Sequence, residues 1–270
     1  MRARVVVLTV ALVLFLVPLV WTMLAAFGIV PDNSSRPPSW SVSFSLERFA
    51  EVGAAEPTFW EELATSTLAA AAATLITIAV SYPAAYALAR SPGATGLVPL
   101  FVVLASLPAM AYVIPLSDLM RRAHLIDTLA GIVLSEAAVT APLAVYVLHG
   151  AVRQLSLEWE EAAVLDGAGL WRTLVRVALP LIAPSVVATA IVVFAIDWNL
   201  LLVPLVLTSG EIKTVPVAMS DFFTFERELE WPSAAAALTI SLAPVAILVA
   251  VFHRALQRFS LTAPGESSDE

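Results

Sequence analysis

Long apolar stretches run along most of the chain and alternate with short polar segments. Six of them are long enough to cross roughly 30 Å of hydrocarbon at about 1.5 Å per residue. They extend over Val5–Val30, Thr67–Leu88, Leu97–Ile114, Thr128–Leu148, Leu181–Leu207 and Ser233–Phe252. The pattern therefore predicts an all-α fold, a polytopic membrane bundle of six transmembrane helices.

The first stretch also has features of a secretory signal peptide. It follows the basic segment MRAR, and Ala25 and Ala26 offer small residues for cleavage. Its apolar run exceeds the roughly 7–15 residues of a signal-peptide core, which favours an uncleaved anchor. We expect an N-terminal anchor over residues 1–30, an outer loop over 31–66, a helical core over 67–259 and an acidic tail over 260–270.

The composition agrees with a membrane protein. Hydrophobic residues make up 60% of the sequence and charged residues 13%, whereas soluble domains have about 45–50% and 25%. This excludes a soluble enzyme, and the absence of cysteine excludes disulfides and thiolate metal sites. Prolines within the spans remove backbone hydrogen bonds, so kinked helices are expected. They are Pro18, Pro83, Pro99, Pro108, Pro142, Pro184, Pro204 and Pro244.

The basic residues indicate which side of the membrane each loop occupies. With both termini inside, eight of the fourteen basic residues lie in inner segments and six in outer loops. This bias follows the positive-inside rule. Arg121 and Arg122, in the outer connection between the third and fourth spans, oppose the assignment. We predict cytoplasmic N- and C-termini.

A polar interruption over residues 155–184 separates the fourth and fifth spans. Ser156 is suited to cap a short helix, and Glu158, Glu160 and Glu161 fall in its first turns, where the helix dipole favours negative charge. One face holds Trp159, Ala162, Ala163 and Asp166, and the two alanines allow another surface to approach closely. Gly167 is expected to end this helix in the left-handed conformation.

A second short helix is predicted directly after the first. Its apolar stripe contains Leu170, Trp171, Leu174, Val175 and Ala178, with Arg172 and Arg176 on the polar side. An amphipathic linker on the lipid head groups explains this second helix. It does not explain the acidic first helix, which is better suited to a protein partner below the membrane.

These residues resemble a known family. Glu161-Ala162-Ala163, then Asp166-Gly167-Ala168 and Leu179-Pro180 are similar to the EAA loop of permeases from binding-protein-dependent ABC transporters. In that family the loop forms a coupling helix that docks in a groove of the ATP-binding subunit. The resemblance implies a coupling loop over residues 155–182, with docking by Glu158, Glu161, Ala162, Ala163, Asp166, Gly167 and Ala168.

Further segments resemble the carbohydrate-type second permease, as in maltose and glycerol-3-phosphate systems. They are YPAAYALAR (82–90), WNLLLVPLVL (198–207), TVPVAM (214–219) and RALQRF (254–259). The resemblance implies an inner-membrane subunit that imports a sugar or related polyol. Its implied partners are a dimer of ATP-binding subunits, a second homologous permease, an external substrate-binding protein and the lipid bilayer, with no nucleic acid. The acidic end APGESSDE departs from the family pattern.

The sequence holds no motif for its own chemistry. No two of the ten glycines are spaced for a GxxxxGK[ST] phosphate loop or a GxSxG nucleophile elbow, and the three histidines are scattered. We therefore expect no catalytic residues, no metal site and no cofactor in this chain. The resemblance implies that ATP and magnesium are bound by the partner ATPase.

Two carboxylates lie within predicted spans. Placing each in the membrane costs roughly 2.5–3.5 kcal/mol of free energy unless it is paired with another group or hydrated. Glu136 and Asp197 are therefore candidates for a translocation path, together with Trp198 and Asn199. A structural hydrogen bond to a neighbouring helix is the alternative role. If a carboxylate instead binds a proton, the chain would be an ion-coupled secondary carrier, but the inverted repeats typical of carriers are not evident.

Overall fold

The computed structural model describes residues 2–32, 39–42, 44–55, 58–210, 212–221 and 231–260. Helices make up nearly all of them, so the predicted all-α class is confirmed. The chain divides into two compact units, Met1–Ala64 with Thr214–Pro244, and Thr65–Lys213 with Val245–Glu270. The segment APGESSDE and parts of the predicted outer loop lie outside the described residues.

The first unit contains the N-terminal helix and a short ribbon that the sequence did not predict. Helix α1 (Arg2–Ala26) leads into strand β1 (Ile29–Asp32), which pairs antiparallel with β2 (Ser39–Val42). The first predicted span therefore ends at Ala26, and the last residues of Val5–Val30 are extended. Gly28, with a φ of +83°, makes the turn between helix and strand.

The core of this unit is built from small and aromatic side chains. Helix α2 (Glu47–Ala55), α12 (Val215–Asp221) and α13 (Trp231–Ser241) complete its elements. Both α1 and α2 pack against α13. Ala235, Ala236 and Ala237 are fully buried there beside Phe59. Such small residues allow helices in a membrane to approach closely.

The second unit contains most of the remaining helices. They are α3 (Thr58–Arg90, which begins in the first unit), α4 (Val98–Ala105), α5 (Ala109–Arg122), α6 (Leu129–Gln154), α7 (Glu158–Leu165), α8 (Leu170–Thr173), α9 (Leu179–Leu181), α10 (Ala183–Trp198) and α11 (Leu202–Leu207), followed at the end of the chain by α14 (Ala243–Ser260). A π-helical turn over Leu174–Ala178 joins α8 to α9. The main core cluster packs α3, α6 and this turn around Tyr82, Leu148, Val152, Leu174 and Ala178.

Two predicted spans are not continuous helices. The third bends by 94° between α4 and α5, and the fifth bends by 80° at Ile182 and is interrupted again before α11. The sixth, Ser233–Phe252, is confirmed as a candidate span, with only a one-residue turn at Leu242 between α13 and α14. Pro108, Pro184 and Pro244 lie just after these bends and this turn, and each lacks the N–H that would continue the preceding helix. Pro18, Pro83 and Pro142 remain inside unbroken helices.

Contacts at the two ends of α6 show that each bent segment of the second unit runs from one end of α6 to the other. At the carboxyl end of α6, Arg90 bonds to the Leu155 carbonyl. At its amino end, the Asp127 amide donates to the Leu207 carbonyl at 2.9 Å. The 26 residues of α6 separate these ends by about 39 Å at 1.5 Å per residue. The chain between Arg90 and Asp127, and again between Leu155 and Leu207, must cover that distance.

Candidate docking and translocation sites

Helix α7 forms the first part of the loop after α6. It covers Glu158–Leu165 and has three glutamates in its first turn. The predicted cap is shifted by one residue, since Leu157 occupies the N-cap position. The Ser156 hydroxyl still accepts a long hydrogen bond from the Glu158 amide, at 3.4 Å. The predicted short acidic helix is therefore present.

Gly167 ends α7 in the predicted left-handed conformation, with a φ of +80°. The Ala168 amide donates to the Ala163 carbonyl and the Gly167 amide to the Val164 carbonyl, both at 2.9 Å. These two bonds form a Schellman motif, which satisfies carbonyls that the helix end leaves free. A Cβ on Gly167 would meet no atom of the described residues within 4 Å. The backbone conformation is thus what requires glycine.

The predicted docking residues lie on an accessible surface. Glu158, Glu161, Ala162, Asp166 and Gly167 are exposed, and Ala163 and Ala168 are half-buried. Large apolar side chains surround them, and of these only Trp159 was assigned to this face from the sequence. Trp159 is 57% exposed, Leu165 88% and Trp171 71%. The surface therefore combines an acidic face with apolar anchors, as protein interfaces commonly do.

One glutamate of α7 does not belong to that surface. Glu160 is buried and bonds to the end of α3, where it accepts hydrogen bonds from the Tyr86 hydroxyl at 2.7 Å and from Arg90 Nε at 3.0 Å. A groove of about 610 Å³ lies between α7 and α8, lined in part by Tyr86, Glu160, Leu165 and Leu170. Glu160 thus fixes α7 to the chain's own bundle.

The two carboxylates predicted inside the membrane are neighbours. Glu136, on α6, and Asp197, in the last turn of α10, are each 2% exposed and interact electrostatically. Thr140 lies beside Asp197 and also contacts the Thr77 hydroxyl, at 3.1 Å. Apart from the neighbouring Thr140 hydroxyl, no group of the described residues is a hydrogen-bond partner of the Asp197 carboxylate, and Glu136 Oε2 likewise has none. These oxygens are therefore suited to bind a ligand, a water or a proton.

Trp198 and Asn199 lie on different surfaces. The Trp198 ring is buried and stacks on Phe194, with a centroid separation of 6.0 Å. Asn199 is exposed, and its side-chain amide donates to the Ala195 carbonyl at 2.7 Å, which closes the end of α10. The structure brings Glu136 and Asp197 together, but it does not add Asn199 to that cluster.

The family of this chain follows from its sequence as a whole. Residues 2–260 match the family of binding-protein-dependent transport system inner membrane components. The chain belongs to this family. It is a multi-pass inner-membrane protein and the translocation subunit of an ABC importer. An ATPase and a substrate-binding protein are therefore its partners, and the ATPase site lies on the partner subunit.

Similar proteins support this assignment. The trehalose/maltose transport system permease protein MalG of Thermococcus litoralis is 30% identical over 247 residues, which are 90% of this chain and 88% of that protein. The trehalose transport system permease protein SugB of Mycobacterium tuberculosis is 35% identical over 187 residues, 67% of this chain and 68% of that protein. The alternative prediction of an ion-coupled carrier is not supported.

The fold of this permease is also similar to a solved structure. A chain from the crystal structure of a bacterial ABC transporter involved in the import of the acidic polysaccharide alginate matches with a TM-score of 0.77. The match covers 94% of this chain and 95% of that chain at 19% identity. The similarity confirms the fold predicted from the resemblance.

Sequence reasoning missed the side chains that hold the loop over residues 155–182 in place. Tyr82, Tyr86 and Arg90 all bond to this loop, yet their segment was noted only for its family resemblance. A signal was present, because the three residues are spaced four apart and form one polar stripe at the end of an apolar helix. No pattern in the sequence distinguished the buried Glu160 from the exposed Glu158 and Glu161 beside it.

Proposed function

We propose that this permease translocates a sugar or a related polyol, and that its loop over residues 155–182 docks on the ATPase subunit. The exposed acidic and apolar surface of α7 is the observation that carries the proposal. Exposed Trp159 and Leu165 beside Glu161 need a partner, because large apolar side chains at high exposure mark interaction sites. The paired alanines Ala162 and Ala163 let that partner approach the helix backbone.

The proposed orientation places this loop and both termini in the cytoplasm. The ends of α3 and α6 lie on the same side as the loop, since Arg90 bonds to Leu155 and Glu160. Arg90, Arg153, Arg172 and Arg176 are all in this region of the chain, which agrees with the positive-inside rule. The opposite side holds Asp127 and Ser209, whose side chains are hydrogen-bonded to each other.

The proposed partners complete a transporter around this subunit. A dimer of ATPase subunits binds ATP and magnesium, a second homologous permease lines the path with this chain, and an external binding protein delivers the sugar to the acidic outer side. The substrate class is supported by relatives named for trehalose, maltose and diacetylchitobiose. The movement of the ATPases is then transmitted through the docking loop and alternates access to the path.

The proposed translocation path includes the Glu136–Asp197 cluster. Both side chains are buried in the membrane part of the bundle, and unpaired carboxyl oxygens are suited to accept hydrogen bonds from sugar hydroxyls. Trp198 follows Asp197 directly and supplies an aromatic face, while Asn199 extends the path toward the exposed end of α10. Asp197→Asn is expected to lower uptake of the sugar while the subunits still assemble.

The test is affinity purification of the permease in detergent from its native cell. Wild type, Glu161→Lys and Gly167→Val are compared by quantitative mass spectrometry of the proteins that co-purify. Wild type is expected to retain a Walker-motif ATPase and a second permease. The two variants should lose the ATPase but keep the second permease.

Glu61→Lys provides the matched control, because it reverses an exposed acidic charge at the other end of α3. It should retain as much ATPase as wild type. Retention of the ATPase by Glu161→Lys and Gly167→Val would contradict docking through α7. Uptake of radiolabelled trehalose, maltose and diacetylchitobiose by the same cells tests the substrate class, and failure of all three to be imported would contradict it.

A further inference from the structure

Three polar side chains on α3 form a stripe that holds both halves of the docking loop. Tyr82, Tyr86 and Arg90 are spaced four residues apart, so they lie on one face over the last turns of the helix. We call these three residues the α3 stripe. Each donates at least one hydrogen bond to a residue between Leu155 and Leu174.

The Glu160 carboxylate is the centre of the contact with α7. Arg90 Nη2 lies 2.5 Å from Oε1, and Nε lies 3.0 and 3.1 Å from the two carboxylate oxygens. The Tyr86 hydroxyl donates to Oε2 at 2.7 Å. The side chains of Arg90 and Glu160 are 18% and 10% exposed. Charge-assisted bonds of this kind, shielded from water, are stronger and more directional than surface ion pairs.

The second half of the loop is held by Tyr82. Its hydroxyl donates to the Leu174 carbonyl at 2.8 Å, and this carbonyl begins the π-helical turn. Leu174 and Ala178 are buried against α3 and α6 in the main core cluster. The part of the loop after α7 is therefore fixed to the same face of α3.

The covalent route out of the loop changes direction before it reaches the next long helix. After α9 the chain bends by 80° at Ile182 before α10 begins. Along the chain, a displacement of the loop must therefore pass through this bend before it reaches α10. Through the α3 stripe, by contrast, the same displacement acts directly on a helix of 33 residues.

We propose that the α3 stripe transmits the movement of the docking loop to α3, with Tyr82, Tyr86 and Arg90 as positioning residues and Glu160 as their anchor on α7. This inference rests on the proposed docking of α7 on an ATPase. It adds that α3 is the span that receives the movement. Weakening the stripe should uncouple transport from ATP hydrolysis without releasing the ATPase.

The experiment compares Glu160→Gln and Tyr86→Phe with wild type in the assembled transporter. Both variants should co-purify with the ATPase at the wild-type level. In Glu160→Gln, sugar uptake per ATP hydrolysed should fall by a factor of about five or more, the scale of a typical coupling between sites. Tyr86→Phe removes one of the bonds and should give a smaller loss in the same direction. Arg153→Ala removes an exposed arginine at the end of α6 and should match wild type.

A cross-link in place of the Tyr86–Glu160 contact distinguishes a mechanical role of this contact from a role in folding alone. The chain has no cysteine, so Tyr86→Cys with Glu160→Cys can be joined within this subunit by a short, reducible bifunctional thiol reagent. Uptake per ATP should be low before cross-linking, recover after it and fall again on reduction.

Several outcomes would overturn the inference. Wild-type coupling in Glu160→Gln or in the reduced cysteine pair would show that the stripe is not used. Loss of the ATPase from Glu160→Gln in parallel with uptake, without recovery on cross-linking, would show that Glu160 acts in docking or folding instead. If wild type itself retained no ATPase, the proposed docking would fail first, so the two failures are distinguishable.

Discussion

The Arg90 guanidinium and the Glu160 carboxylate form a shielded ion pair between the last residue of α3 and the first turn of α7, with Nη2 and Oε1 2.5 Å apart. The pair joins two segments that are 70 residues apart in sequence. It orients α7 so that its other two glutamates remain exposed. The geometry of the proposed docking surface thus depends on a residue that is not part of that surface.

Removing this pair should lower the stability of the purified permease. Glu160→Gln leaves the Arg90 charge poorly compensated in a site that water barely reaches, at a cost of about 1–3 kcal/mol. Thermal unfolding in detergent should therefore occur at a lower temperature than in wild type. Glu158→Gln neutralises an exposed glutamate two residues earlier and should have little effect. An equal shift for both variants would contradict the special role of Glu160.

Gly167 should be sensitive to any side chain although it has space around it. Its φ of +80° costs a residue with a Cβ about 1–2 kcal/mol. We expect Gly167→Ala to destabilise the end of α7 in hydrogen exchange of the assembled transporter. Gly169→Ala is the matched control, since Gly169 has a φ of −76° and is also unobstructed within the described structure. Similar exchange rates for the two variants would contradict the left-handed conformation of Gly167 at the end of α7.

Substitution of two glycines of α6 by alanine should change the stability of the protein in opposite directions. A Cβ on Gly131 would lie 2.0 Å from the Leu125 carbonyl oxygen, so Gly131→Ala must displace the loop that precedes the helix. A Cβ on Gly150 meets no described atom within 4 Å, and alanine there should stabilise the helix by about 0.5–1 kcal/mol. The yield and melting temperature of the folded protein measure both effects. A Gly131→Ala protein as stable as wild type would contradict the tight turn.

Much of the fold could be predicted because the membrane restricts the possible structures. Six apolar stretches and the acidic short helix with its glycine end were all readable from composition and periodicity. The positions of the sharp bends, between α4 and α5 and at Ile182, were not, although proline follows each bend. Pro83 and Pro142 sit inside unbroken helices, so proline alone does not determine whether a span breaks. Packing against neighbouring helices decides it.

The site was predictable only where a local pattern described it. Ala162, Ala163 and Gly167 form such a pattern within a few residues. The partners of Glu160 are 70 and 74 residues away, and the meeting of Glu136 with Asp197 depends on how α6 packs against α10. Contacts between residues so far apart in sequence cannot be predicted from a local pattern, because they depend on the tertiary structure. The ribbon formed by β1 and β2 is local by comparison, since its paired residues are only 7 to 13 positions apart, and the sequence pattern did not predict it.

Labelling of single cysteines should show which side of the membrane each end of α6 occupies. Ser209→Cys and Leu165→Cys introduce exposed thiols at opposite ends of the bundle in a chain without cysteine. A membrane-impermeant maleimide applied to cells with a permeabilised outer barrier should label Ser209→Cys only. After lysis it should label both. Labelling of Leu165→Cys in unlysed cells would reverse the proposed orientation.

Site-specific cross-linking from α7 tests the docking of this permease most directly. Ala162→Cys, carrying a short thiol-reactive photo-cross-linker, is compared with Ser209→Cys in native membranes, and the cross-linked products are identified by mass spectrometry. Ala162→Cys should be joined to a Walker-motif ATPase, and Ser209→Cys should not. If the ATPase co-purified with the permease but cross-linked from Ser209→Cys and never from Ala162→Cys, α7 would not be the docking helix.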